Sequence, residues 1–210
     1  MTCPYIIGIA GPSCAGKSFL SHRIAPELGA TVLHIDAYYR ELANFTVEQR
    51  ARFNFDAPES IETELFFDHV RQLASGRAID RPVYNFTTHT RDPQTLRIEP
   101  GEYLIIEGLF ALYWTELLEL EGTKVYVDLR EKLCLERRKY RDVRERGRTE
   151  ESVLRQFHET VQPMAQRYVY PTRDNADVVV TGNDDINHEA AQVLEHVRAG
   201  IQRQLLTTSS

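Results

Sequence analysis

The chain is poor in every feature that would tie it to an oxidising compartment, a membrane or a polyanion. Its 210 residues hold three cysteines, Cys3, Cys14 and Cys134, an odd number at wide spacing with no C-x-x-C and no neighbouring histidine cluster. That excludes a disulfide framework or a zinc site and fits a reducing, cytoplasmic setting. Base is in deficit: 25 Lys and Arg face 31 Asp and Glu, for a formal charge of −6, so no surplus of cations is there to neutralise a nucleic-acid backbone or a membrane surface. The longest apolar runs are strand-length, far below the roughly 20 residues of a bilayer-spanning helix. No basic segment followed by an apolar one opens the chain, so no secretory leader is expected. The guanine-reading tetrapeptide N-K-x-D is missing, which sets the chain apart from GTPases. Internal repeats and low-complexity tracts are missing too. The composition that remains, 42% hydrophobic and 27% charged, is that of a globular protein long enough to bury a full core.

Against these absences stands one complete motif. Residues Gly11-Pro12-Ser13-Cys14-Ala15-Gly16-Lys17-Ser18 spell G-x-x-x-x-G-K-[ST], a phosphate-binding loop. An apolar, β-branched run precedes it at Tyr5–Ala10, and helical spacing of Phe19, Leu20, Ile24 and Leu28 follows it over Lys17–Leu28. In that context the loop N–H groups and the helix N-terminus face an anion, Lys17 reaches the β/γ-phosphates, and Ser18 is placed to hold Mg²⁺. The motif implies a nucleoside triphosphate, ATP, as ligand.

Five apolar runs, Tyr5–Ala10, Thr31–Asp36, Tyr103–Glu107, Lys124–Leu129 and Asp177–Thr181, each followed by helix-compatible sequence, predict an α/β fold with a five-stranded parallel sheet flanked by helices. The whole of 1–206 reads as a single kinase-type domain, with 207–210 a disordered tail. Ligands of such sheets bind beyond the carboxyl ends of the strands, which here carry the glycine loop, Asp36, Glu107 and Asp128. Between about 79 and 100 the pattern alternates like an exposed strand, turns at Asp92-Pro93 and returns through Thr95–Ile98, which predicts a β-hairpin flap. Residues Glu131 to Gly147 predict a charged helix at the head of a helical lid over about 131–170, and Asn187 to Leu206 an amphipathic one with Val193, Leu194, Val197, Ile201 and Leu205 on one stripe. One glycine loop, a flap and an arginine-bearing helix in a 24.2 kDa chain point to a small-molecule kinase.

Several colinear segments name an acceptor. His34-Ile35-Asp36-Ala37-Tyr38-Tyr39, Asn54-Phe55-Asp56-Ala57-Pro58, Pro82-Val83-Tyr84-Asn85-Phe86-Thr87-Thr88-His89-Thr90-Arg91, Ile105-Ile106-Glu107-Gly108, the arginine run 137–148 and the stretch 162–180 together resemble the uridine kinase (uridine–cytidine kinase) family, over roughly Tyr5 to Val180. The resemblance implies ATP-dependent, Mg²⁺-assisted phosphorylation of uridine and cytidine to their 5′-monophosphates. It further suggests pyrimidine salvage, a homotetramer and inhibition by pyrimidine triphosphates.

The same resemblance distributes roles. Asp36, beside the loop, becomes the base for the nucleoside 5′-OH and a neighbour of Mg²⁺. Tyr39 and Phe55 pack against the nucleoside, and Asp56 accepts the vicinal 2′- and 3′-hydroxyls, which a deoxyribose lacks. Tyr84, Phe86 and His89 read the base; a neutral histidine can donate to O4 of uracil or accept from N4 of cytosine. Glu107 joins Ser18 and Asp36 around the metal. Arg138 and Gln156 fall to the acceptor side, and Arg141 and Arg146 to the ATP phosphates, while Arg137 and Arg144 are left on the surface. Asn85 departs from the family's commoner Asp, and strand alternation points it away from Tyr84 and Phe86. Two other readings stay open: a phosphoribulokinase-like or pantothenate-kinase-like enzyme, and a regulator that binds nucleotide without turnover.

Overall fold

The computed structural model describes residues 3–208. In chain order, β1 (Tyr5–Ala10) runs through the glycine loop into α1 (Lys17–Leu28), and β2 (Thr31–His34) follows. Helices α2 (Val47–Ala51) and α3 (Thr63–Ala74) precede a hairpin of β3 (Ile79–Asn85) and β4 (Thr90–Ile98). Then come β5 (Tyr103–Glu107), α4 (Thr115–Leu120), β6 (Thr123–Asp128), α5 (Glu131–Glu145) and α6 (Glu150–Gln156). Beyond α6, π-helical turns at Phe157–Val161 and Ala165–Val169 flank the short α7 (Gln162–Met164), and a 3₁₀ stretch covers Tyr170–Asn175. Finally β7 (Val178–Thr181) leads into α8 (Ile186–Thr208).

Among the described residues the main sheet is five-stranded and parallel, in the order β2-β5-β1-β6-β7. All six residues of β1 are buried, as a central strand covered on both faces demands. Its alternation splits the core in two. Tyr5, Ile7 and Ile9 face α1 and α8 through Leu20, Ile24, Val193, Leu194 and Val197. Ile6 and Ala10 face the opposite layer, where Phe66, Val70 and Leu73 of α3 and Leu117 of α4 pack. Chain order reverses at β1, between β5 and β6, and the glycine loop emerges at that switch point.

The structure moves several expected boundaries. The flap does not turn at Asp92-Pro93. It turns at Phe86–His89, because the Asn85 side chain accepts from the N–H groups of Thr87 (2.9 Å) and Thr88 (3.1 Å) and His89 takes a left-handed backbone, φ 56°. Asp92 and Pro93 continue β4, whose exposed outer edge asks no N–H of a proline. Phe19 leaves the core and is 67% exposed at the start of α1. Leu205 is exposed as well, so the α8 stripe is buried only over its first half. Thr207 and Thr208, expected in a disordered tail, continue α8; Ser209 and Ser210 lie outside the described residues.

Candidate functional site

The carboxyl ends of the sheet open into a cleft of about 650 Å³. On its floor the glycine loop packs so tightly that a Cβ on Gly182, just past β7, would lie 1.7 Å from the Ala15 carbonyl oxygen. Gly16 carries φ 113° and no side chain caps α1, so the first N–H groups of the helix stay open to an anion. Lys17 is buried and its ammonium donates to the Pro12 carbonyl at 3.0 Å, folded over its own loop. Of the loop residues, Gly11, Pro12 and Ala15 shape the turn from beneath, and Ser13, Cys14, Gly16, Lys17 and Ser18 line the cleft.

Register places the acidic groups. Glu107 of β5 lies level with Ile9 of β1 on one side and His34 of β2 on the other. Its Oε1 accepts from Ser18 Oγ at 2.9 Å and meets His34 Nδ1 at 2.5 Å. Burial pushes the Glu107 carboxyl up, yet His34, Lys17 and Ser18 outweigh it and hold the group below the usual carboxylate range. Asp36 sits in the 3₁₀ turn Ile35–Tyr38 after β2. Burial, and then the Glu107 charge, raise its carboxyl above the usual aspartate range against the pull of Lys17, Arg146 and Arg141. Two neighbouring carboxylates with opposite shifts suit a proton acceptor and a permanent anion. Asp128 does not line the cleft; it pairs with Arg173 at 3.7 Å.

The donor set at Ser18 and Glu107 is two hard oxygens within hydrogen-bond reach of each other. It fits a Mg²⁺ ion completed by phosphate and water, with Asp36 close by. Among the described residues no three His, Cys, Asp or Glu side chains gather to hold a metal alone.

One side of the cleft is aromatic. Tyr39 is buried, edge-on to Phe55 at 5.3 Å and tilted against Tyr84 at 5.3 Å. Phe55 stacks on His89 at 4.6 Å with 20° between the planes. Burial, with Arg146, Arg148 and Arg50 behind it, lowers the His89 pKa, so the ring is neutral at physiological pH. The buried Tyr84 hydroxyl has no hydrogen-bond partner among the described residues. Asn85 is exposed, as alternation predicts. Asp56 is buried 4.0 Å from Arg138 Nη1; burial raises its carboxyl first, and Arg138 and Arg141 pull it back.

Helix α5 overhangs both ends. Arg138 donates to Ser13 Oγ at 3.1 Å and to Gln156 Oε1 at 3.2 Å, bridging loop and lid. Arg146 lies over the Phe86 ring at 4.7 Å, a cation–π contact from lid to flap. Arg137, expected on the surface, lines the cleft instead, its Nη1 3.4 Å from the Cys14 and Ala15 carbonyls; one turn of helix is enough to carry it around the loop. Arg148 also enters, bonded to Gln156. Reading by i, i+3/i+4 faces put Arg148 on the side of Arg138 and Arg141 without giving it a role, and misplaced Arg137 alone, since the lid wraps the loop. Phe19 and the turn Gly182–Asp184 with Ile186 line the cleft beside the glycine loop, and the only sequence signal for them was a T-G-N-D turn at a strand end.

Comparison with known proteins agrees with this geometry. The sequence profile of the phosphoribulokinase/uridine kinase family matches residues 6–187. A uridine kinase of Chloroflexus aurantiacus is 38% identical over 204 residues, 96% of this chain and 98% of the relative. One of Vibrio cholerae is 39% identical over 182 residues, 83% and 85% of the two chains. The solved phosphoribulokinase of Rhodobacter spheroides superposes with a TM-score of 0.63 at 18% identity, over 85% of this chain and 70% of that one, a likeness of fold alone.

Proposed function

The chain belongs to the phosphoribulokinase/uridine kinase family of P-loop kinases, and from that premise we propose that it transfers the γ-phosphoryl group of ATP to the 5′-hydroxyl of uridine and cytidine. The observation that carries the reading is convergence: a ring-lined pocket with a neutral histidine and a buried carboxylate opens onto the same cleft as the phosphate loop. The name shared by relatives near 38% identity supports the same acceptor.

In this reading the base lies between the Phe55–His89 stack and Tyr84, whose unpaired hydroxyl and the two-sided imidazole supply the polar contacts. Asp56 takes the ribose diol, and Arg138 and Gln156 close over it. Asp36, with its raised pKa, accepts the 5′-hydroxyl proton as the oxygen attacks. Lys17 leaves Pro12 for the β/γ-phosphates, and Arg141, Arg146 and Arg137 meet the charge that builds on the equatorial oxygens. Ser18 and Glu107, with Asp36 beside them, would hold Mg²⁺, which would supply positive charge to offset that of the phosphates. Lid closure excludes water that would otherwise compete as acceptor. The homotetramer belongs to the same reading, and sedimentation at four times the 24.2 kDa chain mass checks it.

The test is an ADP-release assay with Mg²⁺-ATP against uridine, cytidine, deoxycytidine, adenosine, ribulose 5-phosphate and pantothenate. Release with uridine and cytidine, weak with the deoxynucleoside, is expected. Release with ribulose 5-phosphate or pantothenate instead would reassign the acceptor, and tight ATP binding with no release would make the chain a regulator.

A further inference from the structure

Asp142 is fully buried in α5 and does not line the cleft, yet four of the five arginines that do line it converge on its carboxylate. Arg141 forks onto Oδ1 with Nε at 2.9 Å and Nη2 at 2.8 Å, and Arg146 Nη1 stands 3.6 Å from the same oxygen. Oδ2 lies 3.5 Å from both Arg138 Nε and Arg148 Nη1, beyond hydrogen-bond geometry. The backbone repeats the arrangement. The Asp142 carbonyl accepts from the N–H groups of Arg146 (3.3 Å) and Arg148 (3.1 Å), and the chain turns back through a left-handed Gly147, φ 63°. One residue thus ends the helix and collects four guanidiniums from both sides of the turn.

We propose that Asp142 is a positioning residue that holds the lid arginines as a preformed fan aimed at the transferring phosphoryl group. Four like charges in one shell would splay into solvent without a counter-ion behind them. Burial and the neighbouring Arg141 charge already hold Arg146 below the usual arginine range. A carboxylate on the side away from the cleft balances that repulsion, while Arg138 and Arg148 share Gln156 and Arg146 rests on the Phe86 ring. The carboxylate's contacts grade from the Arg141 fork to the looser ion pairs at 3.5 and 3.6 Å, so Arg141 is fixed in direction while Arg138, Arg146 and Arg148 keep freedom to settle on bound ligands. Preorganised donors of this kind act mainly in the transition state.

The proposal rests on the kinase reading above, and its test separates the two. Asp142→Asn, Arg141→Gln and the double variant are compared with the parent for kcat with ATP and uridine, for affinity toward a non-hydrolysable ATP analogue, and for thermal transition. Asp142→Asn is expected to lower kcat by about 10- to 100-fold while analogue affinity moves less than about threefold. The double variant is expected to lose little beyond the worse single one, because the carboxylate acts through the guanidinium. A parental kcat in Asp142→Asn, or losses that multiply in the double variant, would overturn the proposal. An inactive parent would instead sink the acceptor assignment. Should Asp142→Asn not fold, arginine Nε–H resonances of the unsubstituted protein decide. Slowly exchanging signals for Arg141 without nucleotide, perturbed together with those of Arg138 and Arg148 when the analogue binds, are expected; fast exchange with water before binding would overturn the fan.

Discussion

Asp36 and Glu107 lie in one cleft, and their environments drive them apart: burial and a neighbouring anion raise one carboxyl, while His34, Lys17 and Ser18 lower the other despite its burial. Asp36→Asn keeps the shape and removes the group proposed to accept the proton. It is expected to cut turnover by roughly 10²–10⁴-fold with ATP affinity near parental, which calorimetry against the rate assay reads. Survival of parental turnover would show that the base lies elsewhere. In the proposed function His89 is the corresponding residue for the acceptor. With its ring neutral and stacked on Phe55, exchange to tyrosine leaves a phenol whose hydroxyl sits elsewhere. His89→Tyr is therefore expected to change the ratio of uridine to cytidine kcat/KM by about tenfold, a loss on the order of one hydrogen bond. Equal losses for both nucleosides would mean a histidine that only braces the flap. Both positions were singled out in the sequence, because each sits in a segment whose residue types suit one chemistry, and the structure brings both to the cleft. Asp142 was not: its carboxylate gains meaning only once residues on both sides of a helix end fold back around it.

At the scale of elements, the sharpest conflict lies under β1. Gly8 leaves a hole in the sheet face, and the Glu121 side chain at the end of α4 fills it; a Cβ on Gly8 would lie 2.1 Å from Oε1. Both carboxylate oxygens are buried with no hydrogen-bond partner among the described residues. Burial drives the pKa well above its ordinary 4.5, against the pull of Lys124. The unfolded chain therefore releases this proton near pH 4.5 while the folded one keeps it. Stability falls by about 1.4 kcal/mol per pH unit from there up to the folded pKa, then levels off. Glu121→Gln removes the titration. Its stability gain over the parent in urea melts is expected to grow from pH 5 to pH 8, and a gain independent of pH would mean a carboxyl ionised in the fold. The flap makes the complementary point. Its existence was readable from alternation, but Asp92-Pro93 looks like a turn only to local chemistry. The Asn85 side chain closing on Thr87 and Thr88 settled the register, and an edge strand made room for the proline.

Across the whole molecule, the cleft is assembled from both ends of the chain. Gly182 abuts Ala15 with no room for a methyl group, and Asp184 and Ile186 complete that end of the cleft beside Phe19. Gly182→Ala is expected to weaken ATP binding by at least tenfold, since the Ala15 carbonyl must give way and the loop with it. Unchanged affinity would mean that this end of the cleft yields at little cost. No helix among the described residues is long and apolar enough to cross a membrane. The five strands, their parallel arrangement and the phosphate loop were fixed by local pattern, because buried strands and glycine loops write their requirements into adjacent residues; of the three acidic groups expected at strand ends in the cleft, Glu107 stands there, Asp36 falls in the turn after β2 and Asp128 stays outside. Which arginines face the cleft, where the flap turns, and that Asp142 gathers four guanidiniums depend on contacts between positions distant in the chain or across a helix end. Periodicity says which face of a helix a residue occupies; only packing decides what that face meets.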